Sequence, residues 1–331
     1  AVAIDAADNA GLHTDTCSMI KATVGTILAG EMPMPQLFVT QSHPCDAMLA
    51  SIQMVDTLLG VPTFCLDAPI WRDDRGIDYY AQQLKEMVAF LEEHTGQRLD
   101  QDRLREVVEE SNRAMELRLA VNELKRAVPC PLSNLLYGLA YQVYSGSAGS
   151  PEATDFFGQL LHHVEEQAKA GKGAVPVEKI RVVWGGVPLV YGDIGGIGVW
   201  MERQCGAVTV RTLWGYEGYH HIDTATYDSM MKGIARKLLD QVMTREFHGV
   251  FDYYLDDFLR AYEEFKADCL IFPAGIGCKG VQATIGLLKD VCREKGIPML
   301  ALGLDLWDER VTPPDGIKAQ IEEFFATTVL Q

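Results

Sequence analysis

The sequence predicts an α/β protein in which two parallel-sheet domains are joined by a block of helices. Short apolar runs such as 270–272 and 299–304 are typical of strands buried on both faces, and helical patterns separate them. Strands that alternate with helices pair in parallel through right-handed crossovers. We expect an N-terminal α/β domain over 1–95, a helical connecting block over 96–176 and a C-terminal α/β domain over 177–331.

The N-terminal region begins with two predicted strands on either side of a helix. Residues 36–40 form the first apolar run, and the helical pattern of 45–60 ends at Gly60, a residue type that favours helix termination. Residues 61–69 form the second run. Four consecutive helical patterns follow, with few strand signals between them, over 76–95, 100–127, 131–145 and 152–171.

The alternation of strands and helices returns after a linker over 171–178. The strands predicted in this region cover 179–186, 207–214, 268–275 and 297–305. The helices predicted between and after them cover 197–206, 224–244, 251–266, 281–296 and 314–326.

The composition argues against two classes of partner. The chain has 46 acidic and 29 basic residues and a formal net charge of −17, so we expect neither a nucleic acid nor an anionic membrane as partner. No apolar run reaches the ~18 residues of a membrane span, and the first residues lack the pattern of a secretory signal. The eight cysteines form no compact framework, so we expect free thiols in a reducing cytoplasm.

Three cysteines share one predicted context. Cys17, Cys45 and Cys278 each lie where a strand is expected to end and a helix to begin. Reactive groups collect at the carboxyl ends of parallel strands, and a helix N-terminus favours the metal-binding thiolate. Three such thiols in one crevice would suit an iron–sulfur cluster with one open iron, although unreactive loop cysteines are the alternative. Zinc is the competing metal, with His13 and His43 close in sequence to the cysteines.

The other five cysteines have a different context. Cys65 and Cys269 fall within predicted strands, Cys292 falls within a helix and Cys205 ends one, so we expect buried or inert thiols. Cys130 lies between two prolines at the start of a helix and is a possible additional metal ligand.

Three further segments are candidates for a functional role. The glycines of 275–280 do not have the spacing of a phosphate-binding loop, and we expect them to let the backbone pass close to a bulky cofactor. The loop over 184–198 could line the substrate cleft or form a tight turn. His220 and His221 are weak candidates for acid–base catalysis, with surface residues as the alternative.

The C-terminal segment 277–325 resembles the signature of the 2-hydroxyacyl-CoA dehydratase and benzoyl-CoA reductase family. In that family a cysteine after a strand is followed by a helix, a G-I-P-x-L element, a D-x-x-D-x-R element and a helix that ends in paired aromatics. The segments 14–25 and 42–69 resemble those that hold the first and second cluster cysteines. The matching C-terminal residues are Cys278, Gly296, Ile297, Pro298, Asp305, Asp308, Arg310, Phe324 and Phe325.

The resemblance implies two flavodoxin-like domains with a [4Fe–4S] cluster between them, held by Cys17, Cys45 and Cys278. It also implies an acyl-CoA substrate, a homologous second subunit or homodimer, and a separate ATP-hydrolysing iron–sulfur activator. The activity it implies first is that of a radical (R)-2-hydroxyacyl-CoA dehydratase. Family members usually carry a further α/β segment before the first cysteine, and only 16 residues precede Cys17, so we expect an N-terminal domain without its front end.

The sequence is also compatible with three other functions. One is a benzoyl-CoA reductase-type subunit, and another is a double-cubane protein with an [8Fe–9S] cluster that reduces small molecules. The double cubane would need more thiols near the cleft, and Cys130 is the first candidate. Outside the family, the competing hypothesis is a non-catalytic binding module of flavodoxin-like architecture.

Overall fold

The α/β prediction is confirmed by a computed structural model, in which every paired strand is parallel to its neighbour. The structure describes residues 1–43, 45–186, 196–213, 220–247 and 251–330. The strands are β1 (Phe38–Gln41), β2 (Thr63–Leu66), β3 (Ile180–Trp184), β4 (Ala207–Thr212), β5 (Cys269–Gly275) and β6 (Met299–Leu304).

The helices surround these strands in the order expected from the alternating pattern. The first seven are α1 (Val2–Asn9), α2 (Ser18–Leu28), α3 (Asp46–Leu59), α4 (Asp74–Thr95), α5 (Gln101–Leu124), α6 (Asn134–Ser147) and α7 (Pro151–Lys169). The remaining five are α8 (Gly196–Trp200), α9 (Tyr227–Leu239), α10 (Phe251–Glu264), α11 (Lys279–Lys295) and α12 (Pro314–Phe324). None of the helices in the described ranges has an apolar stretch long enough to cross a membrane.

The larger sheet has the strand order β4-β3-β5-β6. Every residue of β3, β4 and β5 is buried, because helices cover both faces of the sheet. Phe258 of α10 and Leu288 of α11 belong to the core on one face, and Ile197 of α8 and Ile321 of α12 belong to the core on the other. In the sheet, β3 pairs on one side with β4, the next strand in the chain, and on the other side with β5. The topological switch point therefore lies between β3 and β5.

The smaller sheet pairs β1 with β2 in parallel, with Phe38 opposite Thr63. Between these strands, α3 ends as predicted at Gly60, which has a left-handed φ of 60°. The order of the larger sheet agrees with the first four positions of the flavodoxin-like order. A fifth strand is not among the described residues, so the flavodoxin-like assignment and the domain boundaries stay predictions.

Helix α9 connects the two halves of the chain, which the sequence did not predict. Met231 and Leu239 of α9 belong to one core with Tyr80 and Leu84 of α4. Helices α5, α6 and α7 have a core of their own, in which Phe157 is fully buried. The helical block therefore lies beside the sheets, while α9 packs directly onto the N-terminal half.

Several predicted boundaries were wrong for local reasons. Helix α1 was not predicted at all. The helix expected over 224–244 begins at Tyr227 because Thr226 and Ser229 form a capping box, and it ends at Leu239. Single turns of π-helix follow α8, α9 and α12, over Met201–Cys205, Met243–Phe247 and Phe325–Val329.

Candidate metal centre

The three predicted cysteines each lie immediately before the first turn of a helix. Cys17 is the N-cap residue of α2, Cys45 that of α3 and Cys278 that of α11. Cys45 follows β1 and Cys278 follows β5, so both lie beyond the carboxyl ends of parallel strands. The strand expected before Cys17 is not among the described residues. Helix α1 precedes Cys17 instead and packs on α2, with Ala7 and Val24 in one core.

The structure places Cys45 and Cys278 within electrostatic range of Cys17. A Cβ atom placed on Gly277 would lie only 2.7 Å from the Cα atom of Cys17, so the loop that carries Cys278 touches the Cys17 backbone. The negative charges of Cys278 and Cys45 both contribute to raising the pKa of the Cys17 thiol, which requires that the three groups lie within electrostatic range. Gly277 therefore permits close approach of this loop to Cys17, and the approach of the loop to a cofactor stays a prediction.

Burial has the largest effect on the ionisation of Cys17. Desolvation raises the pKa of its thiol, while the backbone N–H groups of Met19 and Ile20 lower it by a smaller amount. Without a metal this thiol is protonated at neutral pH. A metal that binds here must displace the proton, as is usual for cysteine ligands.

Two sets of ion pairs hold the cysteine segments together. Lys279, next to Cys278, places its Nζ atom 3.2 Å from Oδ2 of Asp15, two residues before Cys17. The hydrogen bond from Lys279 is the main cause that lowers the pKa of Asp15. His13 contacts the same carboxylate at 2.5 Å.

The second set involves the D-x-x-D-x-R element after β6. Arg310 donates to both oxygens of Asp308, at 2.8 and 2.7 Å, and to Asp5 of α1 at 3.0 Å. Asp305 accepts the backbone N–H groups of Trp307 and Asp308. These contacts fix the loop after β6 and connect it to the helix that supports Cys17.

The described residues do not support a site for a single metal ion. Among them, no group of three or more His, Cys, Asp or Glu side chains is close enough together to hold one ion. The zinc hypothesis therefore gains no support, and His13 is engaged with Asp15. A cubane cluster distributes its thiolate ligands over different iron atoms, so its ligands need not converge on one point.

Cys130 is not brought together with the other three. It is fully buried, its N–H group donates to Glu178 at 2.6 Å, and its thiol donates to the Leu132 carbonyl at 3.7 Å. Glu178 precedes β3, so Cys130 lies near the amino edge of the larger sheet, whereas Cys278 lies beyond its carboxyl edge.

The remaining cysteines agree in part with the prediction of inert thiols. Cys269 and Cys292 are buried, and burial raises the pKa of both, to about 11 for Cys292. Cys205 is half-buried. Cys65 is exposed, because β2 has only β1 beside it among the described strands.

The histidine candidates take different positions. His220 places Nε2 2.6 Å from Oδ2 of Asp240, which also pairs with Arg72 from the loop after β2. His221 is largely exposed and contacts Glu116 at 3.5 Å, as expected for a surface residue. The predicted cleft loop over 184–198 is described only at its ends, since 187–195 lie outside the described residues.

Two buried acids of the C-terminal half were not predicted from the sequence. Glu246 and Asp257 are 4% and 0% exposed, and Arg245 binds both oxygens of Asp257. One signal was available in the sequence. Asp257 falls on the same helical face as Tyr254 and Phe258, which form the buried stripe of α10.

The fold and the cysteine positions define an α/β protein with three cysteines at helix N-termini, two of which follow parallel strands. Residues 1–327 match the model of the 2-hydroxyglutaryl-CoA dehydratase, D-component family. The chain belongs to this family and is an enzyme.

Curated relatives include components of reductases and of dehydratases. A benzoyl-CoA reductase subunit from Thauera aromatica is 23% identical over 357 aligned residues, which cover 96% of this chain and 78% of the relative. The alpha subunit of lactoyl-CoA dehydratase from Anaerotignum propionicum is 21% identical, with 96% of this chain and 80% of the relative covered. The (R)-phenyllactyl-CoA dehydratase alpha subunit from Clostridium sporogenes is 25% identical, over 55% of this chain and 47% of the relative.

Proposed function

We propose that the chain is the iron–sulfur subunit of a radical (R)-2-hydroxyacyl-CoA dehydratase. The observation that carries the proposal is that Cys17, Cys45 and Cys278 each lie at a helix N-terminus, with Cys45 and Cys278 in electrostatic range of Cys17. Family membership supports the substrate class, since the relatives are named for acyl-CoA thioesters.

The cysteines fit a [4Fe–4S] cluster in number and in chemistry. Three thiols would bind three of its irons and leave one iron for an exchangeable ligand. When bound, such a cluster supplies single electrons and a Lewis-acidic iron. The protein supplies the geometry: Gly277 brings the Cys278 loop against Cys17, and partial burial of all three thiols limits access of water.

The proposed reaction explains why a redox centre would serve a dehydration. The β-hydrogen of a 2-hydroxyacyl-CoA is not acidic, so ordinary acid–base elimination is blocked. One-electron reduction of the thioester carbonyl inverts its polarity, so that the hydroxyl group can leave and a β-proton can follow. The product radical then gives the electron back, so that the enoyl-CoA forms without net reduction. The electron would come from a separate ATP-hydrolysing iron–sulfur activator, and the relatives' names as subunits support a second, homologous subunit or a second copy of this chain.

The experiment is anaerobic purification followed by analysis and turnover. We expect about four iron and four sulfide per chain for a single cubane, and about eight iron for the double-cubane alternative. Incubation with activator, ATP and a 2-hydroxyacyl-CoA should release water and form the enoyl-CoA. Iron-free protein that binds no thioester would contradict the proposal and favour a non-catalytic binding module.

A benzoyl-CoA reductase-type subunit is the second candidate. It is favoured by the match to the reductase component from Thauera aromatica, which extends over 96% of this chain. The same incubation with benzoyl-CoA separates the two candidates, because formation of a dienoyl-CoA without dehydration of any hydroxyacyl-CoA would select the reductase.

A further inference from the structure

A pair of buried carboxyl groups lies between the π-helical turn Met243–Phe247 and helix α10. Glu246 in the turn is 4% exposed and Asp257 in the helix is 0% exposed. The charge of Asp257 raises the pKa of Glu246, so the two carboxyl groups lie within electrostatic range of one another. Turns of π-helix inside helical segments are frequent at functional sites.

Glu246 and Asp257 differ in the number of hydrogen-bond donors and cations that surround their carboxyl groups. Asp257 accepts one hydrogen bond from Arg245 through Oδ1 at 3.0 Å, and its Oδ2 lies 2.7 Å from the same guanidinium as an ion pair. Arg260 lies 3.8 Å from Oδ1. Neither carboxyl oxygen of Glu246 accepts a hydrogen bond from any donor in the described part of the chain. A buried carboxylate without a donor and beside a second carboxylate is unstable, so Glu246 is the member that carries the proton.

The charges around Glu246 support this assignment. Burial is the largest cause that raises the pKa of Glu246 and the charge of Asp257 is the next, and with all neighbours together the pKa lies at about 9. The cations Arg245 and Arg211 lower the pKa by smaller amounts. The remaining titratable neighbour, Tyr254, stays neutral, since burial raises its pKa well above the usual value.

The pair is connected through Tyr254 to the carboxyl end of the larger sheet, the end beyond which Cys278 lies. The charge of Glu246 acts on Tyr254, whose hydroxyl group donates to the Gly185 carbonyl at 2.5 Å, directly beyond the carboxyl end of β3. β3 pairs with β5, the strand that leads to Cys278. The ring of Tyr253 on the same helix lies within cation–π range of both Arg245 and Arg72, and Arg72 belongs to the loop after β2.

We infer that Glu246 and Asp257 share one proton at neutral pH and form a proton store that serves the crevice. That the pair holds one proton does not depend on the reaction. That this proton moves to and from the crevice rests on the proposed dehydratase function. The pair is a positioning and proton-holding element, since neither acid is placed against a substrate.

The proton balance of a dehydration fits such a pair. When the C–O bond at C2 breaks, the departing hydroxide needs one proton to become water. Glu246 gives up its O–H proton for this purpose, and the resulting pair of carboxylates faces Arg245, Arg260 and Arg211. When the C–H bond at C3 breaks, the released proton returns to the pair, so that its charge is unchanged after each turnover.

Infrared spectroscopy tests the shared proton without any activity. The wild-type protein should show the carbonyl band of a buried carboxylic acid, with a component that disappears as the pH rises through about 9. This component is distinct from the band of Glu202, whose pKa burial raises to about 7. The Glu246→Gln variant should lack the component, while Glu263→Gln, an exposed position on helix α10, should keep it. Absence of the component from the wild type, or its persistence in Glu246→Gln, overturns the shared proton.

Kinetics of the same variants test the exchange. The amide of Glu246→Gln can still donate to Asp257 but cannot release a proton, so we expect at least a tenfold loss of kcat with little change in KM and in iron content. Glu263→Gln should retain wild-type rates. Full activity of Glu246→Gln overturns the proton exchange with the crevice. A wild-type protein that dehydrates no substrate refutes the proposed function. In that case the infrared result still shows whether Glu246 and Asp257 share a proton.

Discussion

Gly277 and Cys17, which are 260 positions apart in the sequence, lie in backbone contact. A Cβ atom on Gly277 would come within 2.7 Å of the Cys17 Cα atom and 3.0 Å of its backbone nitrogen. Only glycine fits at this distance, because the neighbouring atoms belong to backbone that cannot rotate away. The contact places the first and third cysteines of the proposed cluster next to each other.

Substitution Gly277→Ala should separate these two cysteines. We expect the folded protein to lose about half or more of its iron, and overpacking of this kind destabilises by about 1–3 kcal/mol. Gly286→Ala is the matched control, since no atom lies within 4 Å of a Cβ at that position on α11. The control should keep its iron and gain up to ~1 kcal/mol in helix stability. Equal iron contents in both variants, measured after anaerobic purification, would show that the contact has no role in cluster binding.

Arg310 connects the loop after β6 to helix α1 through Asp308 and Asp5. Removal of the side chain in Arg310→Ala should release α1 locally, so we expect severalfold faster hydrogen exchange of the backbone amides of Val2–Asn9. Arg293→Ala removes a surface ion pair with Asp290 and should leave this exchange unchanged. Unaltered protection of α1 in Arg310→Ala would contradict the assigned role.

The same ion pair predicts a response to acid. Hydrogen bonds from Arg310 are the main cause that lowers the pKa of Asp308 below its usual value of 3.8. The stabilisation from this carboxylate is therefore present above pH 3.8 and lost as the pH falls through the lowered pKa. Protection of α1, corrected for intrinsic exchange, should stay constant between pH 7 and pH 5.

The charged form of Lys125 destabilises the folded protein, whereas the charged form of Asp308 stabilises it. Its side chain is buried, with Nζ 3.8 Å from the centre of the Tyr137 ring, and burial lowers its pKa from 10.5 to about 8. Between these values the unfolded chain binds more protons than the folded protein, so stability rises with pH. Relative to Lys125→Met, the wild type should gain ~3 kcal/mol in unfolding free energy between pH 8 and pH 10.5. Denaturant unfolding of both proteins measures this difference, and a difference independent of pH would refute the assigned pKa.

The sequence predicted the elements that have strong local signals. The apolar runs of β5 and β6 and the helix stop at Gly60 are visible in composition and spacing alone. Cys45 and Cys278 could be grouped because each follows a parallel strand, although the structure places β1 and β5 in different sheets. Cys17 does not share this context, since helix α1 and not a strand precedes it.

Long-range pairings could not be predicted in the same way. Contacts such as Gly277 with Cys17 or Arg310 with Asp5 depend on how distant segments pack, which local periodicity does not encode. The buried charges were missed for a related reason. Lys125 and Glu246 have the polar character of surface residues, and only the folded neighbours remove them from water.

Iron and sulfide content of four cysteine variants tests the proposed cluster most directly. If Cys17, Cys45 and Cys278 hold one cluster, alanine at any of the three should remove most of the iron from anaerobically purified, folded protein. Alanine at Cys65, which is exposed on β2, should leave the iron content at the wild-type level. Full iron in any one of the first three variants would show that the ligand set is wrong.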